Sequence, residues 1–256
     1  GAGQAHAVVK NDDEPAVLSI VAEDANLQEG SDTSAGAFTP FVFKVVRDGS
    51  QPASAITVRW AVSSLASGLT AGDFVGFTGG LPSGTVTLAA TATETTLTLK
   101  VAADLLPEGD EPFLVALSSA TNASISASGG VSGGIIINDD TPPSFTITPQ
   151  ELAKAEGNSG SNPYVFTVAR NGNVGVAYSV AWRVTDLPGG ASVSGADFVG
   201  GQLPTGTLSF AASESAKVVT LNVAGDTAAE LDESFVFAVV DNNGPTPNIA
   251  TAVGRI

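Results

Sequence analysis

The chain has 256 residues, a formal net charge of -16 at pH 7, no Cys and no Met. The acidity argues against nucleic acid as a partner, because a polyanion would be repelled and no stripe of Lys or Arg is present. The absence of Cys excludes disulfides and thiol chemistry. No apolar run approaches the roughly 20 residues of a membrane-spanning helix, so we expect no direct membrane insertion.

Alternating apolar and polar residues predict seven strands along the first half of the chain. A period of two marks a strand that buries one face. In chain order the runs are 16–21, 41–47, 56–62, 85–89, 95–101, 113–117 and 134–137. The residues expected to point inward are Phe43, Val45, Val58, Trp60, Val62, Leu97, Leu99, Val101, Phe113, Val115 and Leu117.

The second half of the chain repeats the first. NDDEP at 11–15 recurs as NDDTP at 138–142, and Glu29-Gly30 recurs as Glu156-Gly157. The other matching motifs are VRWAV at 58–62 with VAWRV at 180–184, GDF at 72–74 with ADF at 196–198, and DLLPEGDEPF at 104–113 with DTAAELDESF at 226–235. The second copy is expected to bury Phe166, Val168, Val180, Trp182, Val184, Val219, Leu221, Val223, Phe235, Phe237 and Val239.

We therefore predict an all-β protein that consists of two tandem antiparallel β-sandwiches of immunoglobulin-like architecture. The predicted domains are 11–140 and 141–256, and the tail 1–10 resembles the end strand of a preceding repeat. The second copy lacks a closing NDD motif, so we expect its last segment to be truncated. The chain is then a monomeric piece of a longer array, whose partners are neighbouring repeats of the same polypeptide.

The acidic residues sort to one end of the predicted sandwich. If consecutive strands run antiparallel, the loops after the first, third and fifth strands share one end with the exit of the seventh. That end receives Glu29, Asp32, Asp73, Asp104, Glu108, Asp110, Glu111, Asp139 and Asp140, whereas Asp48 and Glu94 fall at the other end. A solvated surface gives no reason for this sorting, so it favours a cation site over a surface that only confers solubility.

Calcium fits such a cluster best. Two carboxylates about 4 Å apart repel each other by ~1 kcal/mol in bulk water and by ~4 kcal/mol at an effective dielectric constant of 20. A hard divalent cation relieves this repulsion, and one that takes six to eight oxygens in irregular geometry is calcium rather than magnesium. Zinc and copper would require His or Cys, and the single His is His6 in the tail.

The ordered set of repeated motifs resembles the Calx-beta domain, named for regulatory domains of sodium/calcium exchangers and common in large bacterial surface proteins. The resemblance covers nearly the whole chain as two copies and implies bound Ca²⁺ at the acidic end. In the first copy it implies the ligands Glu29, Asp73, Asp104, the Leu106 carbonyl, Glu108, Glu111, Asn138, Asp139 and Asp140. In the second copy it implies Glu156, Asp197, Asp226, Glu230 and Glu233.

The chain also departs from the family pattern. Members that bind strongly often carry an Asp pair where this chain has Ala103-Asp104 and Gly225-Asp226. They also carry three Asp residues where this chain has Asn138-Asp139-Asp140. The resemblance therefore implies fewer ions or a lower affinity than in those members.

No enzymatic activity is expected. One His in the tail gives no Ser-His-Asp arrangement, and a glycosidase pair of carboxylates would need aromatic platforms, whereas Trp60 and Trp182 alternate as core residues. The sequence predicts a calcium-binding spacer of a large extracellular or cell-surface protein of bacterial origin. The alternatives are an adhesin module that binds glycan or matrix and a regulatory calcium sensor of an exchanger-like membrane protein.

Overall fold

The computed structural model describes residues 7, 15–49, 54–241 and 248–256. The chain forms two compact units, one of residues 1–104 and 109–139, the other of residues 105–108 and 140–256. The end strand predicted at 1–10 lies outside the described residues, except for Ala7. No helix among the described residues is long and apolar enough to cross a membrane.

The first unit consists of two sheets. Its strands are β1 Val17–Asp24, β2 Asn26–Gln28, β3 Phe38–Asp48, β4 Ile56–Ser64, β5 Ser83–Leu88, β6 Glu94–Ala102, β7 Glu111–Ser118, β8 Ser124–Ile125 and β9 Val131–Ile137. One sheet has the order β6-β3-β1-β8 and the other has the order β2-β9-β7-β4-β5. Phe41 and Phe43 of β3 meet Phe113 of β7 across the core, with 6.1 Å between ring centroids in both pairs.

The second unit repeats this arrangement. Its strands are β10 Ser144–Pro149, β11 Gly160–Asn171, β12 Tyr178–Asp186, β13 Ala191–Ser192, β14 Thr205–Phe210, β15 Ala216–Gly225, β16 Glu233–Asp241 and β17 Asn248–Arg255. One sheet has the order β10-β11-β15, and the other has the order β13-β16-β12-β14 with β17 paired to β16. Phe166 of β11 stacks on Phe237 of β16, with 4.8 Å between the ring centroids.

The predicted fold class is confirmed, because all seven strand runs of the first copy fall within observed strands or overlap them. Strand pairing differs from the prediction in one respect, since β1/β8, β2/β9 and β13/β16 pair in parallel. The predicted inward residues are buried, except that Trp182 is only partly buried against the core. The sequence analysis did not predict the burial of Phe74 and Phe198, the last residues of the GDF and ADF motifs, and both are buried.

Each Trp ring covers a glycine on the neighbouring strand. Trp60 pairs with Gly84 and Trp182 with Gly206. A Cβ atom at Gly206 would lie 2.7 Å from two atoms of the Trp182 ring, and one at Gly84 would lie 3.0 Å from Trp60. The two Trp residues therefore pack against glycines of their own sheets.

Candidate metal centre

The first acidic group lies where β2 and β9 end side by side. Gln28 pairs in parallel with Ile137, and the backbone N–H of Glu29 donates to the Ile137 carbonyl oxygen at 3.2 Å. Glu29, Asp139 and Asp140 can each offer a carboxylate oxygen, and these oxygens lie within 4.8 Å of one another. Glu29 is 4 % exposed and Asp140 is 8 % exposed. The group thus contains two buried carboxylates, held by the ends of paired strands.

The turn after Glu29 explains why a glycine follows the acid in both copies. Gly30 has a φ of +92°, which only glycine adopts without strain. Its backbone N–H donates to Asp139 Oδ1 at 3.2 Å, and Thr39 Oγ1 donates to the Glu29 carbonyl oxygen. The turn therefore connects the backbone of Glu29 to the closing Asp139. In the second copy, Gly157 has a φ of +85°.

The second acidic group lies at the start of β7. Asp73, Glu108 and Glu111 can each offer a carboxylate oxygen within 4.8 Å of the others. Glu111 is 5 % exposed and pairs with Ile136 of β9. A Cβ atom at Gly68 would lie 2.6 Å from Glu111 Oε1, so a glycine there leaves room for this carboxylate.

Asp73 has a local structural role as well as a predicted ligand role. Its Oδ2 accepts the Thr70 backbone N–H. Asp197 does the same in the second copy, where its Oδ2 accepts the Ser194 N–H at 2.6 Å in a capping box at the 3-10 helix Gly195–Asp197. A carboxylate has acceptor capacity on both oxygens, so each Asp can fix its loop and still bind a cation.

The structure brings Glu29, Asp73, Glu108, Glu111, Asp139 and Asp140 together as two close groups. Of the other predicted ligands in this copy, Asp104 lies beside the Glu29 turn, because its N–H donates to the Gly30 carbonyl oxygen at 3.1 Å. The backbone N–H of Asn138 donates to Asp110 Oδ1 at 3.2 Å. Asp104 is not a member of either carboxylate group. Asp104, Leu106 and Asn138 stay predicted ligands.

The second copy brings its five predicted acids close enough to affect one another. Partial burial raises the pKa of Glu156, and the charges of Asp226, Glu230 and Asp197 add to this. Partial burial also raises the pKa of Glu233 to about 6, with further contributions from Asp197, Glu230 and Glu156. A cavity of about 310 Å³ opens beside Glu156, Glu230 and Glu233. Within the described part of this copy, no three acids offer oxygens as closely spaced as those in the first copy.

The sequence analysis missed a cation at this second acidic end. Arg255 Nη2 lies 2.5 Å from Asp232 Oδ2, and Asp232 and Ile256 also border the cavity. The strand register reveals the equivalent position in the first copy, because Arg255 pairs with Ser234 just as Ile135 pairs with Pro112. An Arg therefore stands in the second copy where the first has an Ile.

Comparison with known families identifies the repeats. A family model described as the Calx-beta domain matches residues 12–141 and again residues 138–253. The chain belongs to the Calx-beta family. The predicted resemblance to two tandem Calx-beta domains is therefore confirmed. The acidic groups lie inside the two matched segments.

Solved structures similar to this chain include the calcium binding domain CBD12 of CALX1.1, which is 19 % identical with a TM-score of 0.37 and aligns over 86 % of this chain and 79 % of that chain. The apo form of the Calx CBD1 domain is 20 % identical with a TM-score of 0.35, over 50 % of this chain and all of that one. A Salmonella alpha-2-macroglobulin mutant is 11 % identical with a TM-score of 0.29, over 98 % of this chain and 17 % of that chain. At these scores the likenesses support no conclusion about function.

The raised pKa of Glu233 gives the calcium-free second Calx-beta domain a distinct pH dependence. The pKa is about 6 in the folded chain against an ordinary 4.5, so the stabilisation is complete below pH 4.5 and is lost as the pH rises through 6. We expect the domain's melting temperature in chelator to rise when the pH falls from 7 to 5. Glu233→Gln should reduce this rise, whereas Glu151→Gln, at an exposed acid of the same domain, should keep it in full. Equal melting at both pH values in the unchanged chain would contradict the assignment.

Proposed function

We propose that the chain binds Ca²⁺ at the acidic ends of its Calx-beta domains and serves as a structural spacer in a larger extracellular or cell-surface protein. The observation that carries the proposal is the convergence of carboxylate oxygens within 4.8 Å of one another in two groups. Like charges held this close repel one another. A bound divalent cation would relieve that repulsion.

The magnitude of the repulsion between the carboxylates favours a bound cation. Each pair of carboxylates about 4 Å apart costs ~4 kcal/mol at an effective dielectric constant of 20. Several such pairs approach the whole stability of a domain, about 5–15 kcal/mol. Because Glu29, Asp139 and Asp140 converge within 4.8 Å, one ion can relieve several repulsive pairs at once.

The donor set selects the type of cation. The groups offer carboxylate oxygens and no sulfur, and the sequence has no Cys and one His. Oxygen donors suit calcium and magnesium rather than zinc or copper. Calcium accepts six to eight oxygens in flexible geometry, whereas magnesium demands an octahedron and retains its water. The irregular arrangement of side chains from a turn, a strand start and a strand exit suits calcium better.

The position of the closing acids along the chain supports a spacer role. One compact unit ends at Asp139 and the other resumes at Asp140, so these two candidate ligands occupy the point where the chain passes between units. Pro142 and Pro143 follow after Thr141 and restrict the backbone further. An ion bound by Asp139 and Asp140 would order this junction. We propose no catalytic role, and we expect neighbouring repeats of the same polypeptide as the partners.

Calcium should stabilise the first domain, and one buried acid should carry much of the effect. Mass action gives about 2.7 kcal/mol at a calcium concentration one hundred times the dissociation constant, which raises the melting temperature by several degrees. Glu111→Gln should reduce this shift strongly and leave calcium-free stability equal or higher, since it removes a repelling charge. Scanning calorimetry in calcium and in chelator measures both quantities.

Two controls define the specificity of that result. Glu94→Gln removes an acid that pairs with Lys44 at 3.2 Å, and it should keep the full calcium shift. Magnesium at equal concentration should give a much smaller shift. Equal melting of the unchanged chain in calcium and in chelator would refute the calcium site.

Calcium should also narrow the range of conformations at the junction. If Asp139 and Asp140 bind an ion, the segment that links the units loses freedom, and Asp139→Asn should restore it. Small-angle scattering should give a narrower distance distribution in calcium than in chelator for the unchanged chain. If the two distance distributions coincide under conditions where calcium binds, the ion stabilises loops only. That result would exclude an ordering of the junction by calcium.

A further inference from the structure

Tyr164 carries a buried hydroxyl that connects two backbone segments of the second Calx-beta domain. The residue is 2 % exposed, and its hydroxyl donates to the Lys154 carbonyl oxygen and lies 3.0 Å from the Arg255 carbonyl oxygen. Burial raises the pKa of Tyr164 to about 12, so the hydroxyl keeps its proton at physiological pH. One proton is thus shared by two carbonyl acceptors from different parts of the chain.

The Lys154 carbonyl belongs to the segment that leads into Glu156, and the Arg255 carbonyl belongs to the last residue of β17. Ala153 and Arg255 form an isolated parallel bridge. Lys154 N–H donates to the Arg255 carbonyl oxygen, and Arg255 N–H donates to the Leu152 carbonyl oxygen, both at 3.1 Å. Tyr164 therefore ties the last residues before Glu156 to the end of β17.

The first Calx-beta domain holds its equivalent acid by a different arrangement. There β2 pairs with β9 over three residues, Asn26–Gln28 against 135–137, and Glu29 follows directly. The residue that corresponds to Tyr164 is Phe41, because both follow a Pro and face equivalent strand partners, Leu99 for Phe41 and Leu221 for Tyr164. The second domain thus replaces a short strand with a single bridge and a hydroxyl group.

Two side chains of β11, two residues apart, form hydrogen bonds with the backbone segment that ends at Glu156. Residues two apart on a strand point to the same face. Asn162 Nδ2 donates to the Glu156 carbonyl oxygen, and the Tyr164 hydroxyl donates to the carbonyl oxygen of Lys154, two residues earlier. In the first domain Thr39 makes the first of these contacts, but Phe41 has no group that could make the second.

We propose that Tyr164 is a positioning residue. Its hydroxyl group holds the backbone before Glu156, so that the Glu156 carboxylate is placed to bind a cation at the acidic end of the second domain. The inference rests on the proposed calcium function. According to this proposal, cation binding by the second domain depends on the Tyr164 hydroxyl. The first domain has no such dependence, because it has Phe41 at the corresponding position. Without this hydroxyl, the Lys154 carbonyl loses its donor and the segment before Glu156 is free to shift.

The test compares two Tyr→Phe variants of the full chain during a calcium titration. Tyr164→Phe is isosteric, and the first domain already has a Phe at this place. Tyr178→Phe is the matched control, because it also removes a buried hydroxyl bond, 2.7 Å from Asp241 Oδ2, at the end of β12 opposite Asp186. The amide NMR signals of Gly157 and Gly30, which follow Glu156 and Glu29, report the two sites separately.

In Tyr164→Phe the calcium midpoint of the Gly157 signal should rise about fivefold to tenfold, as expected for the loss of one hydrogen bond. The Gly30 midpoint should not change, and Tyr178→Phe should change neither. An unchanged Gly157 midpoint in Tyr164→Phe, or an equal rise in Tyr178→Phe, would overturn the positioning role. An unfolded second domain in Tyr164→Phe would assign the hydroxyl to folding and would also overturn it.

The same titration separates this inference from the proposed function. A response of Gly30 without any response of Gly157 in the unchanged chain would overturn the role of Tyr164 and leave calcium binding by the first domain intact. A chain in which neither signal responds to calcium would refute the proposed function, and the inference with it.

Discussion

Mutual repulsion of carboxylates held close together by strand ends is the constraint on which the acidic end of each domain depends. In the first domain, β9 lies between β2 and β7, and its pairs with Gln28 and Glu111 bring acids from both neighbours beside its own exit. The backbone hydrogen bonds of the sheet therefore fix side chains that would otherwise separate. Packing of the core offsets the free-energy cost of this repulsion, and a bound cation would lower that cost.

The two domains handle this constraint differently. The first concentrates buried acids, with Glu29, Glu111 and Asp140 all under 10 % exposed. In the second, Glu156 and Glu233 are partly exposed, their raised pKa values record the crowding, and Arg255 pairs with Asp232 nearby. Greater access to solvent screens the repulsion between the acids of the second domain more than it does in the first. This difference follows from substitutions at a few equivalent positions within one fold.

Sequence alone predicted most of the fold, because a strand with one buried face leaves a direct signature in its alternation. Phe43 and Val115 show this, since the pattern placed both inward and both are fully buried. The placement of Glu29, Asp139 and Asp140 at one end of the sandwich also followed, from the assumption that consecutive strands run antiparallel. What the sequence could not supply were contacts set by register and by backbone carbonyl groups. The Arg255–Asp232 pair and the Tyr164 hydroxyl are of this kind, because neither leaves a periodic pattern. The Glu-Gly motif was visible as a repeat in the sequence. The reason for its glycine, a positive φ at Gly30 beside Thr39, could be seen only in the structure.

A crystal structure of the chain grown in calcium tests the central claim most directly, because it locates the ions. We expect electron density for calcium at about 2.3–2.6 Å from carboxylate oxygens in the two groups of the first domain. These are Glu29 with Asp139 and Asp140, and Asp73 with Glu108 and Glu111. Well-ordered carboxylates in the same positions with no ion in either group, at saturating calcium, would contradict the account.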